Sequence, residues 1–241
     1  MTKTNGEEDA VANVVITGAN RGIGLALTRQ YAEAGDNVLA LCRSPEKAEA
    51  LQKLAAQSGG RVKVGAIDIG DTASVEAAAK LVDGPVDILI NNAGVLGGDP
   101  ERQTLQNIDY DAWADSFNIM AMGPFRVVKA FLPALEKAKG AKIMSVSSQL
   151  AASTWPYGGY YVYSSAKAAG NRIMQILAID LKDKGIAVAN IHPGYVQTDM
   201  GGPNAEITPD ESAAGIRNVI ANLTLENSGK FFKWNGEFHP L

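Results

Sequence analysis

Short runs of consecutive apolar residues alternate along the chain with longer segments in which apolar residues recur every three or four positions. The short runs are typical of strands buried on both faces of a parallel sheet, and the longer segments are typical of helices packed against that sheet. The pattern predicts strands at 13–17, 37–42, 62–67, 86–90, 141–146, 186–191 and 231–234.

Helices are predicted between these strands, and the longest is broken near Gly123 and Pro124 because proline removes a backbone donor. Alternating strands and helices imply a parallel sheet with right-handed crossovers and helices on both faces. The expected fold class is therefore α/β, a single doubly wound (Rossmann-type) domain over 13–241 with a mostly or wholly parallel seven-stranded sheet. A loose N-terminal leader is expected at 1–12. The helices are predicted at 25–34, 45–57, 72–82, 109–138, about 160–181 and 209–223.

Composition excludes several classes of function. The 241 residues carry a formal net charge of −4 with no run of Lys and Arg, so nucleic acid is not expected as a partner. Cys42 is the one cysteine and His192 and His239 are the two histidines, so neither a disulfide nor a Cys/His metal site is expected. The polar N-terminus and the lack of a long apolar run predict a cytoplasmic protein with no membrane partner.

Tyr163 and Lys167 are the central candidates for catalysis. They stand four residues apart in a helical segment, so both side chains project from one face. A phenol has an ordinary pKa near ~10, and a nearby ammonium is expected to lower the pKa of Tyr163. Tyr163 could then act as an acid or base at a carbonyl or an alcohol.

A glycine-rich turn joins the first predicted strand to the first helix. Gly18, Gly22 and Gly24 follow the spacing Gly-x-x-x-Gly-x-Gly, with Asn20, Arg21 and Ile23 between them. Glycines permit a tight turn and close approach of a pyrophosphate at the N-terminus of the following helix. An ordinary strand-to-helix connection is the alternative.

Arg43 follows the second strand, where dinucleotide folds contact the adenosine ribose. A guanidinium there suits a 2′-phosphate, and Arg21 could face the same group, so NADP(H) is favoured and NAD(H) is possible. Two solvated arginines are the alternative. Asp68, followed by Ile69, ends the third strand and could hold the adenine or cap the next turn.

Three further groups of polar or small residues follow later strands. Asn92, Ala93 and Gly94 could approach a cofactor or form a polar turn. The fifth strand ends at Ser147 and Ser148, and the sixth is followed by a loop at 192–198. All the candidates thus fall at carboxyl ends of predicted strands or on the helix after the fifth, where open α/β sheets bind ligands.

The sequence resembles the short-chain dehydrogenase/reductase family through motifs that occur in the family's order. Within the family it is similar to the C-factor or sniffer-type carbonyl reductase branch, through the segments at 158–163, 192–202 and 234–237. The family motifs are Thr17-Gly18-x-x-x-Gly22-x-Gly24, Asn91-Asn92-Ala93-Gly94, Ser148, Tyr163-x-x-x-Lys167 and Pro193-Gly194.

The resemblance implies a role for each matching residue. Tyr163 would exchange a proton with the substrate oxygen, Lys167 would hold the nicotinamide ribose and lower the pKa of Tyr163, and Ser148 would stabilise the substrate oxygen. Ser147 is the less expected catalytic serine. The implied cofactor-binding residues are Gly18, Asn20, Arg21, Gly22, Ile23, Gly24, Arg43, Asp68, Ile69, Asn92, Ala93, Gly94, Tyr163, Lys167, Pro193, Gly194, Val196 and Thr198.

Residue 120 departs from the family pattern. The family usually has an asparagine three residues before Gly123, where it helps to hold a water in a proton relay, whereas this chain has Met120. Asn118 is expected to face elsewhere on the helix. Met120 could fill a gap in the core while water reaches Lys167 by another route, or it could mark a protein that turns over slowly.

Two functions follow from these observations. The first is an NADP-dependent oxidoreductase that interconverts a carbonyl compound and a secondary alcohol by hydride transfer, and the alternative is an NADP-binding regulatory or signalling protein with little turnover. Trp155, Tyr157, Tyr195 and Met200 suggest an apolar or aromatic substrate, although they could equally pack loops. Apolar helices at 120–138 and 166–181 predict a homodimer or homotetramer.

Overall fold

The protein, seen here as a computed structural model that describes residues 11–241, has a single parallel sheet. Each strand begins and ends within two residues of its predicted limits. Of the predicted leader, only residues 11 and 12 lie within the described residues. The strands are β1 (Asn13–Thr17), β2 (Asn37–Cys42), β3 (Val62–Ala66), β4 (Ile88–Asn91), β5 (Lys142–Val146), β6 (Ala187–His192) and β7 (Phe231–Lys233).

The strands are ordered β3-β2-β1-β4-β5-β6-β7, and every neighbouring pair is parallel. The doubly wound α/β fold with a seven-stranded sheet is therefore confirmed, and the sheet is wholly parallel. The order reverses direction between β1 and β4, the kind of switch point at which open α/β sheets bind ligands. The helices are α1 (Gly22–Glu33), α2 (Glu49–Gln57), α3 (Thr72–Ala79), α4 (Tyr110–Phe117), α5 (Gly123–Leu135), α6 (Tyr161–Asp180) and α7 (Pro209–Ala221).

Two helix predictions need correction. The segment at 45–57 is split into a 3-10 turn at Pro45–Lys47 and α2. The segment at 109–138 is not broken at Pro124, because a π-turn at Asn118–Met122 joins α4 to α5 without leaving helical backbone angles. Pro124 lies in the first turn of α5, where the π-turn has already displaced the regular hydrogen-bond ladder, so the missing N–H costs little.

The alternation of side chains along β1 divides the core between the two faces of the sheet. Val14 and Ile16 pack with α1, α2 and α7, whereas Val15 packs with α3, α5 and α6 on the other face. All three side chains are almost fully buried. This two-sided burial explains why the strands appear in the sequence as continuous apolar runs. Among the described residues, none of the helices has the length and apolar character needed to cross a membrane.

Candidate active site

A cleft of about 640 Å³ is lined by residues that follow β1 to β6, so it runs along the carboxyl edge of the sheet. Most of the residues singled out from the sequence lie in it. Those residues are Gly18, Asn20, Arg21, Gly22, Ile23, Arg43, Asp68, Ile69, Asn92, Ala93, Gly94, Tyr163, Lys167, Pro193 and Thr198.

The glycine turn is packed tightly against the loop after β4. Gly18 has a φ of +68°, and a Cβ there would lie 2.8 Å from the Cα of Ala93. At Gly24, a Cβ would lie 2.2 Å from the carbonyl oxygen of Gly18, so only glycine fits. The two glycines therefore bring α1 close to the ends of both strands, and the helix N-terminus faces the cleft.

Asn92 and Thr17 hold this turn in place. The Asn92 Nδ2 amide donates to the carbonyl oxygens of Thr17 and Gly18 at 3.1 and 3.0 Å. The Thr17 hydroxyl accepts from the backbone N–H groups of Asn92 and Ala93, both at 3.1 Å. The Asn92 amide donors are thus committed to fixing the turn.

One end of the cleft carries positive charge. Arg43 lies there with Ser44 and Lys47, and the latter two were not identified from the sequence. Lys47 ends the 3-10 turn that follows β2, which brings its ammonium to the same end as the guanidinium. Asp68 also lines the cleft, and its Oδ1 accepts from the N–H of Gly70 at 2.9 Å, so the carboxylate caps its own turn.

Arg21 lines the same cleft as Arg43 and forms an ion pair with the loop after β6. Its Nη1 lies 2.5 Å from Oδ2 of Asp199, and both side chains are largely exposed. Asp199 belongs to the loop after β6, so this ion pair links that loop to the glycine turn. The guanidinium of Arg21 is engaged by a carboxylate, whereas Arg43 and Lys47 form no ion pair within the described residues.

Tyr163 and Lys167 lie on the cleft-facing side of α6 and are both buried. The Nζ of Lys167 is 5.9 Å from the centroid of the Tyr163 ring and donates to the carbonyl oxygen of Val146 at 2.7 Å. This bond ties α6 to the end of β5. The common helix face predicted from the four-residue spacing is therefore present.

Burial controls the electrostatics of the pair. It lowers the pKa of the Lys167 ammonium to about 8. It also raises the pKa of the Tyr163 phenol, and a side-chain hydrogen bond with Ser148 acts in the opposite direction. The expected net lowering of the Tyr163 pKa is therefore wrong for this structure, because desolvation outweighs the stabilisation of the phenolate.

Gln103 positions the start of α6, a role that sequence analysis did not identify. This fully buried side chain accepts a 3.0 Å hydrogen bond from the N–H of Tyr163 and donates to the carbonyl oxygen of Leu96 at 2.9 Å. Tyr160, the residue before the helix, has a left-handed φ of 51° and provides no side-chain cap. Gln103 therefore supplies the partner that the first turn of this helix lacks.

The π-turn places residues 118 and 120 on different sides of the helix, as predicted. Asn118 donates to the carbonyl oxygen of Gly70 and accepts from Arg126, away from the cleft. Met120 is buried with Tyr163 and Ala166, so its side chain fills the apolar space beside the catalytic candidate. One alternative interpretation of Met120, as a gap-filling residue, agrees with this packing.

Of the four loop residues that suggested an apolar or aromatic substrate, Met200 lines the cleft and the others do not. Trp155 and Tyr157 pack edge to face with ring centroids 5.1 Å apart, and Tyr157 and Tyr195 are exposed. Residues 11–241 contain no group of three or more His, Cys, Asp or Glu side chains that could hold a metal ion.

Residues 12–208 match the family model described as short chain dehydrogenase. The chain belongs to the short-chain dehydrogenase family. The match includes the glycine turn, Ser148, Tyr163 and Lys167, and it ends before α7. The family resemblance drawn from the sequence motifs is therefore confirmed.

Relatives of this short-chain dehydrogenase support the carbonyl reductase branch. The C-signal protein of Myxococcus xanthus is 42% identical over 166 residues, which are 68% of this chain and 97% of the relative. An NADPH-bound carbonyl reductase from chicken fatty liver is 32% identical, with a TM-score of 0.88 and coverage of 96% and 99% of the two chains. The carbonyl reductase Sniffer of D. melanogaster is 27% identical, with a TM-score of 0.88 and coverage of 96% and 100%.

Four predicted site residues of this short-chain dehydrogenase do not line the cleft: Gly24, Ser148, Gly194 and Val196. Gly24 supports the glycine turn from behind, and Val196 is buried in a bridge to Ile207. Ser148 is buried, and its Oγ accepts from the N–H of Leu150 at 3.2 Å. Its contribution to the site is to favour the phenolate of Tyr163, which acts to lower the pKa of that phenol.

Proposed function

We propose that this short-chain dehydrogenase is an NADP(H)-dependent reductase that interconverts a carbonyl compound and a secondary alcohol. The observation that carries the proposal is the buried Tyr163–Lys167 pair on the wall of a cleft whose other end carries Arg43 and Lys47. A proton donor and a phosphate-binding end then belong to one continuous site.

The residues divide the chemistry between them. Tyr163 gives its phenolic proton to the carbonyl oxygen of the substrate in reduction and takes a proton from the alcohol in oxidation. Ser148, whose hydroxyl acts to lower the pKa of Tyr163, donates to the same substrate oxygen and stabilises the developing charge. Lys167, held by the Val146 carbonyl, presents its remaining N–H donors to the ribose hydroxyls and keeps a positive charge beside the phenol.

The cleft suits a dinucleotide. Its volume of about 640 Å³ lies within the range of small-molecule and cofactor sites. The exclusion of a side chain at Gly18 leaves backbone exposed at the N-terminus of α1 for a pyrophosphate. When bound, the nicotinamide supplies the hydride.

NADP(H) is favoured over NAD(H) by charge at the adenosine end. Arg43 and Lys47 line the cleft there, and neither makes an ion pair within the described residues. A 2′-phosphate would neutralise this positive charge, whereas a free 2′-hydroxyl would leave it uncompensated. The NADPH bound in the chicken liver carbonyl reductase supports the same choice.

An apolar or aromatic substrate is supported by the residues beside the nicotinamide end. Met200 lines the cleft and is 46% exposed, so its thioether offers an apolar contact to a bound molecule. The Trp155–Tyr157 pair stands in the loop between β5 and α6, outside the cleft lining.

The second candidate function is an NADP-binding regulatory or signalling protein with little turnover. Met120 favours it, because the side chain beside Tyr163 offers no polar atom for a proton relay. The name of the C-signal relative also points in this direction. The burial of Tyr163, Lys167 and Ser148, and the position of the first two on the wall of the cleft, favour the reductase instead.

We further propose a homodimer or homotetramer. Phe125 on α5 and Ile176 and Ile179 on α6 are exposed apolar residues, and Ile179 is 70% exposed. Burial of such residues between copies is a common basis of isologous interfaces. A monomer in multi-angle light scattering would contradict this proposal. The cytoplasmic location expected from the N-terminal sequence stays a prediction.

The deciding experiment follows NADPH oxidation with a panel of ketones, aldehydes and quinones. Wild type is compared with Tyr163→Phe, and Tyr161→Phe on the same helix serves as the matched control because Tyr161 is exposed. Turnover that requires Tyr163 but not Tyr161 is expected of the reductase. Tight NADPH binding without turnover of any compound would favour the regulatory candidate.

A further inference from the structure

His192 contacts the loop that carries Ser148 but lies outside the lining of the cleft. It is the last residue of β6, its side chain is buried, and the chemistry described above does not use it. Its Nδ1 accepts a 3.3 Å hydrogen bond from the N–H of Gln149, the residue that follows Ser148. The imidazole therefore acts on the backbone beside Ser148 and not on a bound molecule.

Ser148 begins the 3-10 turn Gln149–Ala151, and its own hydroxyl oxygen accepts from the N–H of Leu150 at 3.2 Å. This bond uses a lone pair of the Oγ and leaves the O–H proton available to a substrate oxygen. The first N–H groups of a helical turn have no partner inside it, so the N–H of Gln149 depends on an outside acceptor. His192 supplies that acceptor, and the turn that directs the Ser148 hydroxyl is thereby fixed at its first two N–H groups.

The ring of His192 is suited to accept a hydrogen bond because it is neutral near neutral pH. Burial lowers its pKa to about 4, and the nearby His239 and Lys233 act in the same direction. A neutral imidazole has one N–H group, so a proton on Nε2 leaves Nδ1 as the acceptor. The backbone N–H of Gln149 can only donate, so His192 takes this tautomer.

The segment after β7 packs on His192. The ring of His239 meets it edge to face with centroids 5.8 Å apart, and its own centroid lies 4.7 Å from that of Phe231. The N–H of His239 donates to the carbonyl oxygen of Phe231 at 2.7 Å, which holds this segment against β7. The Nδ1 of His239 lies 2.7 Å from the carbonyl oxygen of Pro240. A carbonyl only accepts, so Nδ1 of His239 carries the proton and the two histidines have opposite tautomers.

We propose that His192 is a positioning residue that orients the Ser148 hydroxyl through the N–H of Gln149. It acts through Ser148, because its ring bonds the neighbouring peptide and does not line the cleft. The contact joins residues 43 positions apart in the sequence, so no local pattern indicates it. The catalytic part of this inference rests on the proposed function, whereas the hydrogen bond itself does not.

The first test detects the hydrogen bond in the wild-type protein without any turnover. Nitrogen-15 NMR at about pH 8, above the ordinary histidine pKa of ~6.5, distinguishes the protonated from the unprotonated nitrogen of each neutral ring. The chain has two histidines, and His192→Asn assigns the signals that remain to His239. We expect the proton of His192 on Nε2 and that of His239 on Nδ1. A proton on Nδ1 of His192 would overturn the proposal.

The second test is a double-mutant cycle on kcat with Ser148→Ala. His192→Leu removes the acceptor, and we expect it to lower kcat by about 10-fold, less than the ~10² for removing a donor to the developing charge outright. In the Ser148→Ala background it should have no further effect, since the hydroxyl that it orients is gone. His192→Asn places an oxygen at the position of Nδ1 and should restore most of kcat. The KM for NADPH should stay unchanged in both His192 variants, because His192 lies outside the cleft lining.

Asn190→Leu is the matched control for damage to β6. Asn190 is buried two residues before His192, and it donates to the carbonyl oxygen of Asn171 at 3.1 Å, a bond that does not involve the loop after β5. Any effect of Asn190→Leu on kcat should be the same in wild type and in Ser148→Ala. An equal loss of kcat from His192→Leu in both backgrounds would overturn the positioning role. If no compound is turned over, the proposed function fails, while the NMR test still decides whether His192 holds the loop.

Discussion

The Nζ of Lys167 lies 2.7 Å from the carbonyl oxygen of Val146, so the helix that carries Tyr163 is bonded directly to the end of β5. This contact places the lysine at the carboxyl edge of the parallel sheet, where open α/β folds bind ligands. It also leaves a buried ammonium without a carboxylate partner among the described residues. The site therefore maintains a charge at a cost in stability.

Lys167→Met is expected to inactivate the protein and to stabilise it at pH 7. The pKa of Lys167 is lowered from 10.5 to about 8 by burial, so the fold disfavours the charged form. Each pKa unit corresponds to about 1.4 kcal/mol. The free energy of unfolding should therefore rise by about 3 kcal/mol, reduced by the loss of the hydrogen bond to Val146. Chemical denaturation measures it, and Lys182→Met at an exposed position is the control.

The same lysine predicts a pH dependence of stability. Between pH 8 and 10.5 the unfolded chain binds the lysine proton and the folded chain does not. Stability therefore rises with pH across this window in wild type relative to Lys167→Met. If the free energies of unfolding of the two proteins change equally between pH 7 and 10.5, that result would argue against the buried charge.

Tyr163→Phe is expected to lower kcat by at least ~10², the lower limit for loss of acid or base catalysis. NADPH binding should be largely retained, because the ring and its packing against Met120 and Ala166 remain. Steady-state kinetics and fluorescence titration of NADPH separate the two effects. Turnover close to that of the Tyr161→Phe control would refute the catalytic assignment.

Arg43→Asp is expected to shift the ratio of kcat/KM for NADPH over NADH towards NADH by at least ~10-fold, since a carboxylate repels a 2′-phosphate and accepts from a 2′-hydroxyl. Arg21→Ala should leave this ratio unchanged, because Arg21 is paired with Asp199. Arg172→Asp, which is exposed and outside the cleft, is the control for the change of charge. An unchanged ratio in Arg43→Asp would show that another residue binds the phosphate.

Gln103→Leu is expected to destabilise the protein by about 2 kcal/mol, because it leaves the N–H of Tyr163 buried without its acceptor. It should also lower kcat more than it raises the KM for NADPH, since the start of α6 carries the phenol. Gln103→Glu keeps the acceptor oxygen and should restore part of the activity. Equal loss of activity in both variants would contradict a role specific to that hydrogen bond.

Sequence patterns determined the order and type of the elements, because burial on both faces of a parallel sheet requires continuous apolar runs such as Val14 to Ile16. They also located the candidate residues at one edge, since all parallel strands end on the same side. The four-residue spacing of Tyr163 and Lys167 was sufficient to predict a shared helix face.

Tertiary structure alone decided how those residues are used. Burial depends on everything packed around a side chain, so the raised pKa of Tyr163 could not be derived from its neighbour Lys167. Gln103 caps a helix 60 positions further along the chain, and Asn92 fixes a turn 74 positions earlier, contacts that no local pattern encodes. The hydrogen bond between His192 and Gln149 likewise exists only where the end of β6 meets the loop after β5.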